Sequence, residues 1–182
     1  MKRDQAPALI ASSEYKNGSG QFLTFMLAGE EYGIEILRVQ EIKGLEATTR
    51  IPNAQPHILG VMNLRGSIVP LIDLRRRFNF EVLPHNAENV VVVVKVLHGP
   101  QERTTGLIVD AVADVYRFDE EDIQPAPEMG QAVDAEVIRG LALVDEKMVI
   151  LLDVDKVICF DDDKKDEMNL PGLMQDSTNA IL

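Results

Sequence analysis

Two segments of the chain match each other without gaps, and this repeat is the strongest constraint on what the chain can fold into. Residues 58–78, ILGVMNLRGSIVPLIDLRRRF, align with residues 138–158, IRGLALVDEKMVILLDVDKVI, at an offset of 80. Five aligned positions are identical, and the turns Arg65-Gly66 and Asp145-Glu146 fall in register between apolar runs. Self-similarity at a fixed offset indicates a repeated structural unit.

A second match, at an offset of 73, precedes the first in each copy. It aligns Gly33-Ile34 with Gly106-Leu107, Val39 with Val112, Glu41 with Asp114 and Ile42 with Val115. Because both matches occur in the same order, we predict two similar β-modules, at 21–80 and 88–160, each a run of short strands that closes on itself. Each module alone would bury only a marginal core.

Short apolar runs between turn signals predict a mainly β chain with brief helical segments. Residues 21–36 alternate around a turn at 28–31, which predicts a hairpin with one buried face. The valine-rich segment Asn89–Leu97 predicts a central strand buried on both faces. Asp73 and Asp153 each follow an apolar strand, so we predict that both cap a helical turn.

Composition limits the class of protein. The 30 acidic residues outnumber the 18 basic ones and give a formal charge of −12, which disfavours nucleic-acid binding. No apolar run approaches the roughly 20 residues of a membrane-spanning helix, and the first 20 residues lack a signal-peptide pattern. We therefore predict a cytoplasmic protein with flexible tails at 1–20 and 161–182, and with Cys159 as a buried, inert thiol.

The sequence contains few candidates for catalysis. The three histidines do not have the spacing of metal ligands, and Asp161-Asp162-Asp163 lacks the glycine and glutamate of an EF-hand loop. Motifs for an activated nucleophile or a phosphate-binding loop are also lacking. We predict no enzymatic activity, no cofactor and no metal site, while a metal-dependent hydrolase that uses the acidic tail is the competing class.

The segment Glu31–Phe78, with NLRG followed by an apolar strand and DLR, resembles the CheW coupling proteins of bacterial chemotaxis. The resemblance continues through GLIVDAVADV (Gly106–Val115), PAPE (Pro125–Glu128) and ILLDVDKVI, and so covers about 21–160. It implies an all-β fold of two tandem SH3-like five-stranded β-barrels packed on each other, with short helical segments.

The resemblance also implies a function. CheW proteins are cytoplasmic adaptors that link the hairpin tips of chemoreceptors, the methyl-accepting chemotaxis proteins, to the regulatory domain of the histidine kinase CheA. They are recruited to membrane-associated receptor arrays without inserting into the membrane. Whether the output is flagellar motility or another process, such as pilus motility, is left open by the sequence.

Carried over by residue, the resemblance implies three contact surfaces. The receptor-binding residues would be Ile36, Val39, Arg65, Val90, Gly106 and Val115, the alternative being that most of them belong to the core. The kinase-binding residues would be Leu45, Thr48, Arg50 and Ile51, and the ring contact would include Gln124, Glu128 and Met129. Relatives can carry a basic residue at position 124 and an aromatic residue at 129, so we expect a weaker or differently matched ring contact.

Other residues are expected to act structurally. Glu41 matches the acidic site of the family and is predicted to form an ion pair with Arg65. Gly60, Gly66 and Gly106 are better explained by backbone geometry, because glycine permits positive φ and close strand approach.

Overall fold

The computed structural model describes residues 20–127 and 133–158. Ten strands and the short helix α1 lie within these ranges, together with a helical turn at 154–158 and three 3-10 turns. The strands and α1 are β1 (Gly20–Leu27), β2 (Glu30–Glu35), β3 (Val39–Gly44), β4 (Ile58–Leu64), β5 (Ser67–Asp73), α1 (Leu74–Arg77), β6 (Val90–His98), β7 (Gln101–Val109), β8 (Ala111–Phe118), β9 (Ile138–Val144) and β10 (Lys147–Leu152). Except for Gly20, which begins β1, the predicted flexible tails lie outside the described residues.

The strands form two curled five-stranded sheets, which confirms the predicted all-β fold of two five-stranded units. Sheet A has the order β8-β1-β2-β10-β9, and sheet B has the order β3-β6-β7-β5-β4. No helix in the described ranges is long and apolar enough to cross a membrane.

The sheets do not follow the division into self-closing modules at 21–80 and 88–160, because each half of the chain contributes strands to both sheets. Strands β1 to β5 correspond one by one to β6 to β10, and each sheet combines the first hairpin of one half with three strands of the other. The alternating pattern of a strand specifies which face is buried but not which strand lies beside it. The repeat is thus real, but its two halves exchange strands.

The parallel strand pairs show the correspondence at atomic detail. Leu71 of β5 pairs with Gly106 of β7, and Leu151 of β10 pairs with Gly33 of β2. A Cβ atom on Gly106 would lie 2.5 Å from Leu71 Cδ2, and one on Gly33 would lie 2.9 Å from Leu151 Cδ2. Each glycine therefore leaves room for a leucine from the other half of the chain. The two leucines occupy equivalent positions of the repeat.

Three apolar clusters hold the sheets together. Sheet B curls around Met62, Val69, Leu71, Val91, Val93 and Ile108, whereas sheet A curls around Phe22, Phe118, Ala142, Val149 and Leu151. The third and largest cluster, here called the inter-sheet core, includes Phe25 and Ile34 of sheet A and Val92 and Leu107 of sheet B. Burying each such side chain stabilises the fold by about 1.5–3 kcal/mol, so the two sheets form one unit.

Local predictions agree with the structure. Ala28 and Gly29 turn the first hairpin with positive φ, and Val91 to Val94 of β6 are fully buried, alternately in the sheet B interior and in the inter-sheet core. The turns Arg65-Gly66 and Asp145-Glu146 also have positive φ throughout, so their predicted equivalence is confirmed.

Both predicted N-caps are confirmed. The Asp73 carboxylate accepts hydrogen bonds from the amides of Arg75 and Arg76 at 3.0 and 3.4 Å. The Asp153 carboxylate accepts equivalent bonds from Asp155 and Lys156, at 3.1 and 3.2 Å, at the start of a helical turn at 154–158.

Candidate protein-binding surface

Three of the predicted receptor-binding residues pack against the inter-sheet core. Ile36, Val39 and Val90 are partly buried and pack against this core. Ile36 belongs to a 3-10 turn, Ile36–Arg38, which joins β2 of sheet A to β3 of sheet B. Each of the three therefore contributes to the core and also keeps some exposed surface.

Strand register places further apolar residues beside them. Val39 pairs with Val94, and Ile42 pairs with Val92, whose side chains face the inter-sheet core. Because directly opposed residues of antiparallel strands share a face, Val39, Ile42 and Val90 line one face of sheet B along its edge strand. Ile42 is exposed and was not among the residues selected from the sequence.

Leu37 is the second residue that the sequence analysis missed. Its side chain is 68% exposed, in the turn between Ile36 and Val39. The sequence does contain an indication of this exposure. Leu37 follows Ile36 directly and so breaks the alternation of apolar residues Tyr32, Ile34 and Ile36. We refer to Ile36, Leu37, Val39, Ile42 and Val90 as the β3 rim.

The predicted ion pair between Glu41 and Arg65 is confirmed. Arg65 Nη2 donates to Glu41 Oε2 at 2.7 Å, although the arginine side chain is 84% exposed and the glutamate only 19%. Glu41 lies on edge strand β3, and Arg65 lies in the turn between β4 and β5 at the other edge of sheet B. The pair therefore joins the two edges of the curled sheet.

Besides Arg65, two predicted receptor-binding residues lie outside the β3 rim. Gly106 is buried, and a Cβ atom there would lie 2.5 Å from Leu71 and 2.7 Å from Val91, so its role is packing and we correct its assignment as a contact. Val115 is exposed, but it lies on β8 of sheet A, where it is the repeat equivalent of Ile42.

The predicted kinase-binding residues lie in the connection between β3 and β4. Leu45 packs on the interior of sheet B, Thr48 is half-buried, and Arg50 and Ile51 are exposed. Thr49 exchanges two backbone hydrogen bonds with Val61 of β4, at 3.0 and 2.8 Å. This connection, residues 45–51, is therefore fixed against sheet B, while Arg50 and Ile51 at its C-terminal end are exposed.

Glycine permits the close approach of this connection. Gly60 has φ +155, and a Cβ atom there would lie 2.3 Å from the carbonyl oxygen of Thr49. At Gly66 the backbone conformation requires glycine, because φ is +88, although no atom lies within 4 Å of an added Cβ. The structural roles predicted for both glycines are confirmed.

The predicted ring-contact segment is the repeat equivalent of the connection 45–51. Gln124 exchanges backbone hydrogen bonds with Leu141 of β9 at 2.8 and 2.7 Å, as Thr49 does with Val61. A Cβ atom on Gly140 would lie 2.8 Å from the carbonyl oxygen of Gln124. Gln124 is exposed, whereas Glu128 and Met129 lie outside the described residues.

Two ion pairs fix the junctions between the sheets. Arg38 donates to Asp155 at 2.7 Å, and Arg75 donates two bonds of 2.7 Å to Asp110. Burial raises the pKa of Asp110, but hydrogen bonds from Arg75 and from the amide of Ala28 outweigh it and lower the pKa below its usual value. The bond to Asp110 likewise raises the pKa of Arg75.

Potential metal ligands are dispersed in the part of the chain that the structure describes. No group of three or more His, Cys, Asp or Glu side chains in residues 20–127 and 133–158 is arranged to hold a metal ion. The run Asp161–Asp163, on which the competing hydrolase hypothesis depends, lies outside those ranges.

Comparison with known proteins identifies the family. The family model of the CheW-like domain matches residues 21–159, which is more than half of the chain. The chain belongs to the CheW-like family. The resemblance predicted over about 21–160 is thereby confirmed, and the CheW-like region contains all ten strands from β1 to β10 apart from Gly20.

Individual CheW-like proteins match over most of their length. The chemotaxis protein CheW of Klebsiella aerogenes is 44% identical over 138 residues, covering 76% of this chain and 81% of that protein. The chemotaxis protein CheW of Rhizobium meliloti is 31% identical over 147 residues, covering 81% and 92%. The crystal structure of the scaffolding protein TtCheW from Thermoanaerobacter tengcongensis matches with a TM-score of 0.70 and 32% identity, covering 81% of this chain and 93% of that one.

Proposed function

We propose that this chain is a chemotaxis coupling protein that links chemoreceptor signalling tips to the histidine kinase CheA and enables receptors to control the kinase. Its CheW-like sequence, and relatives named as chemotaxis proteins CheW, support this proposal. The structural observation that carries it is the exposed Leu37 in the β3 rim, in the turn between partly buried Ile36 and Val39. The protein would act in the cytoplasm at receptor arrays, as a scaffold without catalysis or cofactor.

The β3 rim has the chemistry of a site for a receptor helix. It combines an exposed leucine with partly buried Ile36 and Val39, and the Arg38–Asp155 ion pair lies beside them. An amphipathic helix binds such a surface by placing its apolar face on it, with polar groups at the border. To transmit a signal, the surface must bind the signalling states of the receptor unequally.

The two segments that pack closely on Gly60 and Gly140 suit contacts with the kinase and within a ring. Residues 45–51 of sheet B and the segment at Gln124 of sheet A occupy equivalent positions on opposite halves of the molecule. A subunit with one such segment on each half can bind two neighbours at once, which alternation with a related kinase domain requires. We assign Leu45, Thr48, Arg50 and Ile51 to the first contact, and Gln124, Glu128 and Met129 to the second.

Reconstitution tests the proposal directly. Autophosphorylation of CheA would be measured with a chemoreceptor cytoplasmic fragment, in the presence and absence of this protein. We expect strong stimulation that requires all three proteins. A folded protein that leaves the rate unchanged with cognate partners would contradict the proposal.

Leu37→Asp tests the receptor surface within that assay. Loss of an apolar anchor from an interface centre costs about 2 kcal/mol, so we expect roughly 30-fold weaker receptor binding. Leu143→Asp is the matched control, because Leu143 is 67% exposed but lies on β9 of sheet A. Equal effects of the two substitutions would show that the β3 rim is not the receptor surface.

Ile51→Asp tests the kinase surface separately. Ile51 is exposed in the connection 45–51, so the fold should tolerate a charge there. We expect weaker binding to the CheA regulatory domain with receptor binding retained. The opposite pattern would reassign the connection to the receptor.

A further inference from the structure

A pocket on the outer face of sheet B is not used by any surface described above. It has a volume of about 520 Å³, within the range of pockets that enclose a bound group. Ile68, Pro70 and Ile158 form part of its apolar lining, and His57, His98 and Arg103 also line it. Among the described lining residues Arg103 carries a positive charge, and none is a carboxylate.

The chain itself leads into this pocket. Ile158 is the last described residue, and it lines the pocket directly. The sequence continues with Cys159, Phe160 and the acidic run Asp161–Asp163. An aromatic side chain followed by three carboxylates complements a pocket that has apolar walls and an arginine in its lining.

The repeat shows how the equivalent place in sheet A is filled. There the ring of Phe78 stacks on Tyr32 at a centroid distance of 6.2 Å, and Phe80 packs edge-on against Phe78 at 6.0 Å. Both phenylalanines contact the inter-sheet core. After α1, Phe78 thus packs on Tyr32 of sheet A, with Phe80 against it.

The aligned positions in sheet B carry smaller side chains. Thr105 takes the place of Tyr32 and Ile158 takes the place of Phe78, and both line the pocket. The residue aligned with Phe80, at the offset of 80, is Phe160. The pocket therefore lies where the repeat predicts an aromatic ring supplied by the chain after residue 158.

We propose that residues 159–163 of this chain occupy the pocket, with the Phe160 ring against Ile68 and Pro70 and the carboxylates of Asp161–Asp163 beside Arg103. The first part of the C-terminal segment then packs on sheet B. The apolar surface of β5 is covered by the chain itself and is not offered to a partner.

Tryptophan fluorescence tests this proposal cleanly, because the chain contains no tryptophan. Phe160→Trp places a single reporter in the proposed pocket, and Leu170→Trp places one farther along the same segment. We expect Trp emission at position 160 to lie at shorter wavelength and to be several-fold less quenched by acrylamide than at position 170. Identical behaviour at the two positions would overturn the proposal.

Pocket variants show whether the protection comes from this site. In the Phe160→Trp background, Ile68→Asp should move emission and quenching to the values of the Leu170→Trp protein. Met148→Asp is the matched control, because Met148 is the repeat equivalent of Ile68 and both are exposed in the described structure. An unchanged signal in Ile68→Asp, or an equal change in Met148→Asp, would overturn the proposal.

Two further measurements complete the test. Arg103→Glu should increase quenching at position 160, and added salt should reduce the effect of this substitution because the contact is electrostatic. The protection should be independent of protein concentration; protection that is lost on dilution would assign the pocket to a second copy and overturn docking within one chain. Far-ultraviolet circular dichroism monitors folding, with Ile68→Thr as the milder variant if Ile68→Asp unfolds.

Discussion

Arg75 and Asp110 form a two-point ion pair, in which Nε and Nη2 of the arginine each lie 2.7 Å from a different oxygen of the carboxylate. The equivalent junction in the other half holds Arg38 and Asp155, joined at 2.7 Å. The repeat aligns Asp155 with Arg75, so the charges are exchanged between the two halves.

This exchange of charge favours the observed topology. If each half closed on itself, the turn with Arg75 would face Arg38, and the turn with Asp155 would face Asp110. Like charges would then meet at both junctions, whereas exchange of strands brings opposite charges together. The apolar pattern does not distinguish these arrangements, because Leu71 and Leu151 are identical and each requires only a facing glycine.

Removal of the Asp110 charge should destabilise the protein. Asp110→Asn keeps the size of the side chain but leaves Arg75, which is mostly buried, without its counter-ion. We expect the free energy of unfolding to fall by about 1–2 kcal/mol, measured by urea denaturation. Asp145→Asn in an exposed turn should change it by less than about 0.5 kcal/mol. The double variant Arg75→Gln with Asp110→Asn should be little less stable than Asp110→Asn alone; fully additive losses would show that charge pairing is not the cause.

The same carboxylate predicts a pH dependence. The folded-state pKa of Asp110 is lowered from its ordinary value of 3.8, so its stabilising contribution is complete above that value and is lost as the pH falls through the lowered pKa. The difference in unfolding free energy between the natural chain and Asp110→Asn should therefore be constant between about pH 7 and pH 5 and shrink below about pH 4. A difference that stays constant down to about pH 2.5 would contradict this assignment.

Gly106→Ala tests the packing role that replaces the predicted receptor contact. The added methyl would lie 2.5 Å from Leu71 and 2.7 Å from Val91, inside the curled sheet. We expect a loss of about 1–3 kcal/mol in unfolding free energy. Gly44→Ala is the control, because no atom lies within 4 Å of its added Cβ. If Gly106→Ala kept full stability but lost receptor binding, Gly106 would be a contact after all.

Sequence patterns identified the features of this fold that depend on nearby residues. The turn at Ala28-Gly29, the caps Asp73 and Asp153 and the buried strand β6 each follow from residue type and spacing within a few positions. The assignment of strands to sheets could not be predicted this way, since it depends on parallel pairs such as Ile150 with Tyr32, which are far apart in the chain. The exposure of Leu37 also depends on that arrangement, because the strands beside its turn determine which apolar side chains are covered.

The Glu41–Arg65 pair allows the structural and binding roles of Arg65 to be separated. Because Arg65 is highly exposed, a double-mutant cycle with Glu41→Gln and Arg65→Gln should give a coupling of only about 0–1 kcal/mol in stability, decreasing with salt. If the pair only joins the edges of sheet B, each single variant should weaken receptor binding equally and the double variant no further. If Arg65 contacts the receptor itself, Arg65→Gln should weaken binding much more than Glu41→Gln, and titration calorimetry with a receptor fragment distinguishes the two cases. Lys147→Gln, in the equivalent hairpin of sheet A, should leave receptor binding unchanged and controls for the loss of one positive charge.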